Sequence, residues 1–138
     1  MKLIKYTSIL DRILIEYSTI QITNKIQKKV AKLGFEYNTN EHAIDKIIEE
    51  ANELKKEIKK DNNKKIKEEL GDLFFACLDV SRKLNYNPEE ILKKGNKKFI
   101  LRWKILEKLI LKDKKNIHKI KSKELNKYWE LAKKINFS

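Results

Sequence analysis

The chain of 138 residues is short of turn-formers, with 3 glycines and 1 proline, and it carries a single cysteine, Cys77. One cysteine excludes an internal disulfide framework and points to the cytoplasm as the place of work. So few glycines and prolines argue against a strand-rich fold, which needs frequent tight turns, and the abundance of Lys, Ile, Leu and Glu favours long helices. No apolar run approaches the roughly 20 residues that span a bilayer, so no membrane association is expected. The start, Met1-Lys2-Leu3-Ile4-Lys5, has too short an apolar stretch for a signal peptide. Arginine is scarce as well: 33 basic residues include only Arg12, Arg82 and Arg102. A surplus made of lysine lacks the planar fork that grips bases and phosphates in pairs, so the formal charge of +13 reads as a solvated surface and nucleic acid as an unlikely partner.

The charge that is present is distributed unevenly. Residues 41–72 hold ten carboxylates against eight lysines, so this stretch is slightly negative within a strongly basic chain. Half of all the acids sit in less than a quarter of the length.

Apolar periodicity predicts an all-α bundle of four or more principal helices with short connections, filling 1–138 as a single domain. A first helix is expected from about Ser8 to Leu33, with a break near Ser18-Thr19 and with Ile9, Leu10, Ile13, Leu14, Tyr17, Ile26, Val30 and Leu33 as its apolar face. Gly34 closes it. Asn40 is the expected cap of a second helix reaching about Lys60, its stripe centred on Ile44, Ala51 and Ile58. After the turn Asp61-Asn62-Asn63, a third helix runs from about Lys64 to Leu84. Its Phe74 and Phe75 point to different sides, which suggests burial by more than one neighbour and a homodimer. Asn87-Pro88-Glu89-Glu90 opens a fourth helix to about Leu111, and Ser122 is expected to cap a last one over Lys123 to Ile135.

Two pairs of acids stand out, Glu50 with Glu53 and Glu69 with Asp72. Each has i, i+3 spacing and therefore shares a helix face. A tight turn makes the two helices antiparallel neighbours, so the pairs can converge. Four gathered carboxylates repel unless a cation neutralises them, and oxygen ligands without His or Cys suit Mg2+, with Mn2+ as a substitute. Gly71 is expected to let a neighbouring helix or ligand approach beside Asp72. Cys77, His42 and His118 have no partners at ligand spacing and read as structural.

The string Glu49-Glu50-x-x-Glu53, followed by Glu68-Glu69-Leu70-Gly71-Asp72-Leu73-Phe74-Phe75-Ala76, resembles the MazG nucleoside triphosphate pyrophosphohydrolases. Lys28 to Tyr37, Arg82-Lys83-Leu84 with Asn87-Pro88-Glu89-Glu90, Asn96-Lys97-Lys98-Phe99-x-x-Arg102-Trp103 and Trp129-x-x-x-Lys133 are similar to further MazG elements. The resemblance covers residues 9 to 135 as one MazG unit. It implies Mg2+-dependent hydrolysis of a nucleoside triphosphate to the monophosphate and pyrophosphate. Metal ligands are implied at Glu50, Glu53, Glu69 and Asp72, and Glu49 or Glu53 as the proton acceptor. Substrate contacts are implied from Lys46, Glu49, Lys65, Glu68, Lys98, Arg102, Trp129 and Lys133. The chain departs from the usual pattern at Tyr37 (commonly Trp), Gly95 (commonly Ala) and Trp103 (commonly Phe). Two other readings compete: a related all-α dUTPase-like, dCTPase-like or phosphoribosyl-ATP pyrophosphohydrolase, and a basic helical nucleic-acid-binding protein.

Overall fold

In the computed structural model, residues 8–11 and 17–135 are described. Five α-helices and one short 3-10 turn make up the regular structure, with no strand among the described residues. The chain divides into two compact units, Met1–Ile91 and Leu92–Ser138.

In the first unit, helix α1 spans Thr19–Lys32. Ser18 caps it in a capping box: its Oγ accepts from the Gln21 backbone N–H at 3.2 Å, and the Gln21 side chain accepts from the Ser18 N–H at 3.0 Å. The helix therefore begins where a break was expected, while Ser8, Ile9, Leu10 and Asp11 lie outside any helix. Ser8 is held there by its own short-range bonds, its N–H donating to Asp11 and its Oγ accepting from the Leu10 N–H. The expected core positions Ile13 and Leu14 fall outside the described residues, as does Arg12.

Gly34, at φ +90°, ends α1 as expected. The Phe35 N–H reaches the Val30 carbonyl and the Gly34 N–H that of Ala31, the paired bonds of a Schellman motif. This left-handed residue turns Phe35, Glu36 and Tyr37 back over the helix end.

Helices α2 (Asn40–Lys59) and α3 (Asn63–Lys83) form an antiparallel hairpin. The cap of α2 is Thr39, whose side chain accepts from the His42 N–H at 3.1 Å, so the expected cap at Asn40 is displaced by one residue. Asn62 caps α3 by accepting from Lys65, after a turn in which Asp61 takes a positive φ. The hairpin also buries a different face of α2 from the expected one. Ala43, Glu50 and Glu57 are buried, whereas Ile44, Ile48 and Ile58 are exposed. Spacing of seven residues keeps Ala43, Glu50 and Glu57 on one stripe. Ala43 on α2 and Ala76 on α3 are both buried, so the stripe of α2 that packs is not the most apolar one. Helix α1 packs on α3, where the buried Gln27 donates to the Phe75 carbonyl at 2.9 Å.

Helix α4 spans Pro88–Lys112, with Glu89 and Glu90 in its first turn and the Asn87 side chain accepting from the Glu89 N–H. Helix α5 spans Ser122–Lys134. The expected cap at Ser122 is not observed: Lys121 occupies that position with no side-chain cap bond, and Ser122 lies inside the first turn. Within the second unit, Leu106, Ile110, Tyr128 and Ala132 form the core, with Trp103 and Trp129 packed against it. Burying side chains such as Leu106 and Ile110 contributes roughly 1.5–3 kcal/mol each. No helix among the described residues is long and apolar enough to cross a membrane.

Candidate active site

Glu50 owes its position to the packing stripe of α2. As the middle member of Ala43, Glu50 and Glu57 it is directed at α3, and only 8% of its surface is exposed. A buried carboxylate needs partners. One is Lys46, a turn earlier, whose ammonium lies 2.8 Å from Glu50 Oε1 and 3.2 Å from Glu49 Oε1. The hydrogen bond to Glu50 holds the Lys46 pKa above the ordinary ammonium range.

The other groups near Glu50 are also acids. Glu50, Glu69 and Asp72 each offer an oxygen, and these oxygens all lie within 4.8 Å of one another. The i, i+3 spacing of Glu69 and Asp72 sets both on the face of α3 that meets α2. Desolvation raises the Glu69 pKa, helped by its hydrogen bond with Glu50 and by the charges of Glu50, Asp72 and Glu53. An acid pushed up by neighbouring acids marks a place where negative charge is in excess. An all-oxygen donor set with that excess fits a hard divalent cation, and Mg2+ is such an ion.

The fourth expected ligand behaves differently. Glu53 is not in the group of three; it accepts from Lys56 at 3.2 Å and acts on Glu69 through its charge. Glu49 is exposed and tied to Lys46. Lys65 and Glu68 are exposed on the first turns of α3. Gly71 has open space where a Cβ would lie, with nothing within 4 Å, so neither a helix nor a wall closes on it as expected. Lys98, Arg102, Trp129 and Lys133 belong to the second unit. There Trp129 packs against Phe99 with ring centroids 5.1 Å apart, and Lys133 pairs with Glu130 at 3.2 Å.

The acids open into a cavity of about 380 Å3, lined in part by Lys46, Glu50 and Asp72 and continuing past Phe75 and Ala76 to Asp79. Phe35, Glu36 and Tyr37 line it from the segment after Gly34. Concave sites of this size, apolar with a few convergent polar groups, accept small molecules. Its far end is braced by Arg82, whose Nε donates to Asp79 Oδ1 and whose Nη1 donates to Glu36 Oε2, both at 2.7 Å. Lys83 donates to the other Glu36 oxygen at 3.4 Å. The Arg82 hydrogen bond, more than that of Lys83, holds the Glu36 pKa below its usual value. Sequence reasoning passed over Phe75, Asp79 and Glu36 as site residues. The available signal was that Asp79 follows Asp72 by seven residues, two turns on the same face, next to one of only three arginines.

The MazG nucleotide pyrophosphohydrolase domain matches residues 38–106. The nucleoside triphosphate pyrophosphohydrolase/pyrophosphatase MazG of Thermotoga maritima is 38% identical over 114 residues, covering 83% of this chain and 44% of that protein. The nucleoside triphosphate pyrophosphohydrolase of Escherichia coli K12 is 30% identical over 129 residues, covering 92% of this chain and 49% of that protein. The chain thus spans about half the length of the curated relatives it matches. With the domain match extending over half of its residues, through the α2–α3 hairpin and its acids, the chain belongs to the MazG nucleotide pyrophosphohydrolase family.

Proposed function

We propose that the protein hydrolyses nucleoside triphosphates to the monophosphate and pyrophosphate with Mg2+ held by Glu50, Glu69 and Asp72. The observation that carries this reading is the convergence of those three carboxylates, two of which, Glu50 and Asp72, line the cavity. When bound, Mg2+ supplies charge neutralisation for the triphosphate and acidifies water at the reacting phosphorus. Glu53 stands outside the group of three yet close enough to act on Glu69, which suits it to accept the water's proton better than Glu49, whose carboxylate is tied to Lys46. Lys46 pairs with Glu50 and orients its carboxylate, and its ammonium is of the kind that pairs with a phosphate oxygen. Resemblance to the family supports substrate contacts from Lys65, Glu68, Lys98, Arg102, Trp129 and Lys133; Lys98 and Arg102, at i, i+4, share one face of α4 and suit phosphate oxygens.

We also propose that residues 1–138 act as one MazG unit, working in the cytoplasm as a homodimer. Exposed apolar side chains on the hairpin, among them Ile44, Ile48 and Phe74, support burial against a second copy. A monodisperse monomer at micromolar concentration would exclude it.

The test is pyrophosphate release from a panel of ribo- and deoxynucleoside triphosphates with Mg2+. Release with the parent and its loss in Glu50→Gln is the expected result. No release with any nucleotide, together with salt-sensitive DNA or RNA binding, would favour the basic nucleic-acid-binding alternative instead.

A further inference from the structure

The cavity continues beyond Glu50 and Asp72 to Asp79. Asp72, Phe75, Ala76 and Asp79 follow one another at i, i+3, i+4 and i+7 and form a single stripe of α3. All four line the cavity. At 1.5 Å per residue, Asp72 and Asp79 are about 10.5 Å apart along the helix axis. That is the span of a nucleoside monophosphate from its phosphorus to the far edge of its base.

The stripe changes character along this span. Its first residue is a member of the acid group, its middle is a phenyl ring beside the small Ala76, and its last is a second carboxylate. Phe35 and Tyr37 offer further aromatic surface to the same cavity. Flat rings suit the face of a base, and they are indifferent to which base it is. Discrimination must come from the polar end.

Two carboxylates are at that end, and they are not equivalent. Glu36 has both oxygens engaged, one by Arg82 and one by Lys83. Asp79 has Oδ1 engaged by Arg82, while Oδ2 accepts no hydrogen bond among the described residues. An ionised carboxylate only accepts. It therefore selects a base edge made of donors, and two adjacent donors satisfy its two oxygens together, since Oδ1 has a second lone pair. Adenine and cytosine set a ring acceptor beside their amino group. Uracil and thymine flank a single N–H with two carbonyls. Guanine alone among the common bases presents a ring N–H and an exocyclic amino group side by side.

We infer that Asp79 reads the base and that the cavity selects guanine nucleotides. This rests on the nucleotide-hydrolase reading of the same site and deepens it. Arg82 acts as a positioning residue, fixing the Asp79 carboxylate against the base edge while Glu36 shares the charge of the guanidinium. A charge-assisted bidentate contact of this kind is the strong, geometrically selective sort.

The experiment compares kcat/KM for GTP, ITP, ATP, CTP and UTP, and for the deoxy forms, in the parent and in Asp79→Asn. Asparagine keeps an oxygen for Arg82 Nε, and thermal melting verifies that the variant is folded. The parent should favour GTP and dGTP, with ITP, which lacks the amino group, lower by about tenfold or more. In Asp79→Asn the ratio of GTP to UTP turnover should fall by about tenfold or more, because one accepting oxygen becomes a donor facing donors. Binding of GMP, AMP and UMP by calorimetry gives a second readout that needs no turnover. Here too GMP should bind tightest to the parent and lose that advantage in the variant. A flat ranking, or a guanine preference unchanged in Asp79→Asn, overturns the inference while leaving the hydrolase reading intact. Absence of hydrolysis with every nucleotide overturns the hydrolase reading, and GMP selectivity then still decides the role of Asp79.

Discussion

Replacing Glu50 by glutamine separates the metal site from the fold. In the metal-free protein two opposing terms change. The variant loses the ion pair with Lys46, at 2.8 Å on a side chain only 10% exposed, and it also sheds the repulsion of Glu69 and Asp72. Unit charges 4.8 Å apart, the outer limit within this cluster, interact by about 0.9 kcal/mol in water and about 3.5 kcal/mol at an effective dielectric constant near 20. Gain and loss are of the same order, so the metal-free melting temperature should move by only a few degrees. Mg2+ changes the comparison. At a hundredfold excess over its dissociation constant, a cation bound only by the folded state adds about 2.7 kcal/mol. For a chain of this length each kcal/mol is worth about 3–5 °C, so the parent should gain roughly 8–13 °C. Glutamine leaves two charged ligands of three, and the same Mg2+ concentration should then raise its melting temperature by less than about 3 °C. Differential scanning fluorimetry with and without MgCl2, at constant ionic strength, reads both numbers. Equal Mg2+ shifts in parent and variant, or no shift in the parent, would refute the three-carboxylate site.

Further expectations concern the parts that hold this site and the second unit. Leu106 is fully buried, so Leu106→Ala should cost about 2–5 kcal/mol, measured by urea unfolding, with a cost under 1 kcal/mol contradicting the assigned core. Gly34→Ala puts a side chain at φ +90° and should destabilise by about 1 kcal/mol or more, although nothing obstructs the new Cβ; an unchanged midpoint would show that the turn carries no constraint. Glu36 has its folded pKa depressed by Arg82, so its contribution to stability is present above the unfolded value of about 4.5 and is lost as pH falls through the folded one. Glu36→Gln should therefore melt below the parent at pH 7 and converge with it as the pH is lowered through that depressed value. A gap that persists at the lower pH would mean that packing rather than charge supplies the effect.

Much of this protein can be read along the chain. Helix boundaries follow from capping chemistry that acts within a few residues: Ser18 with Gln21, Asn62 with Lys65, Gly34 after Val30. The i, i+3 acids and the tight turn between α2 and α3 make a shared acidic face predictable, because both are matters of local geometry. Where local rules compete, the outcome is less legible. Thr39 rather than Asn40 caps α2, two adjacent residues with similar capping ability.

What the sequence could not settle was which face of α2 meets α3. Apolar count favours the side with Ile44 and Ile58, yet the side with Ala43, Glu50 and Glu57 is the one that is buried. That choice buries Glu50, draws it to Glu69 and Asp72, and leaves Glu53 outside the group. The link of Glu36 across to Arg82, 46 residues away, is likewise a product of the folded chain alone. Sequence determined the helices and the supply of carboxylates, because both depend on near neighbours. Tertiary structure decided which carboxylates converge and what stands opposite them, because distances between helices are set by packing that no local rule contains.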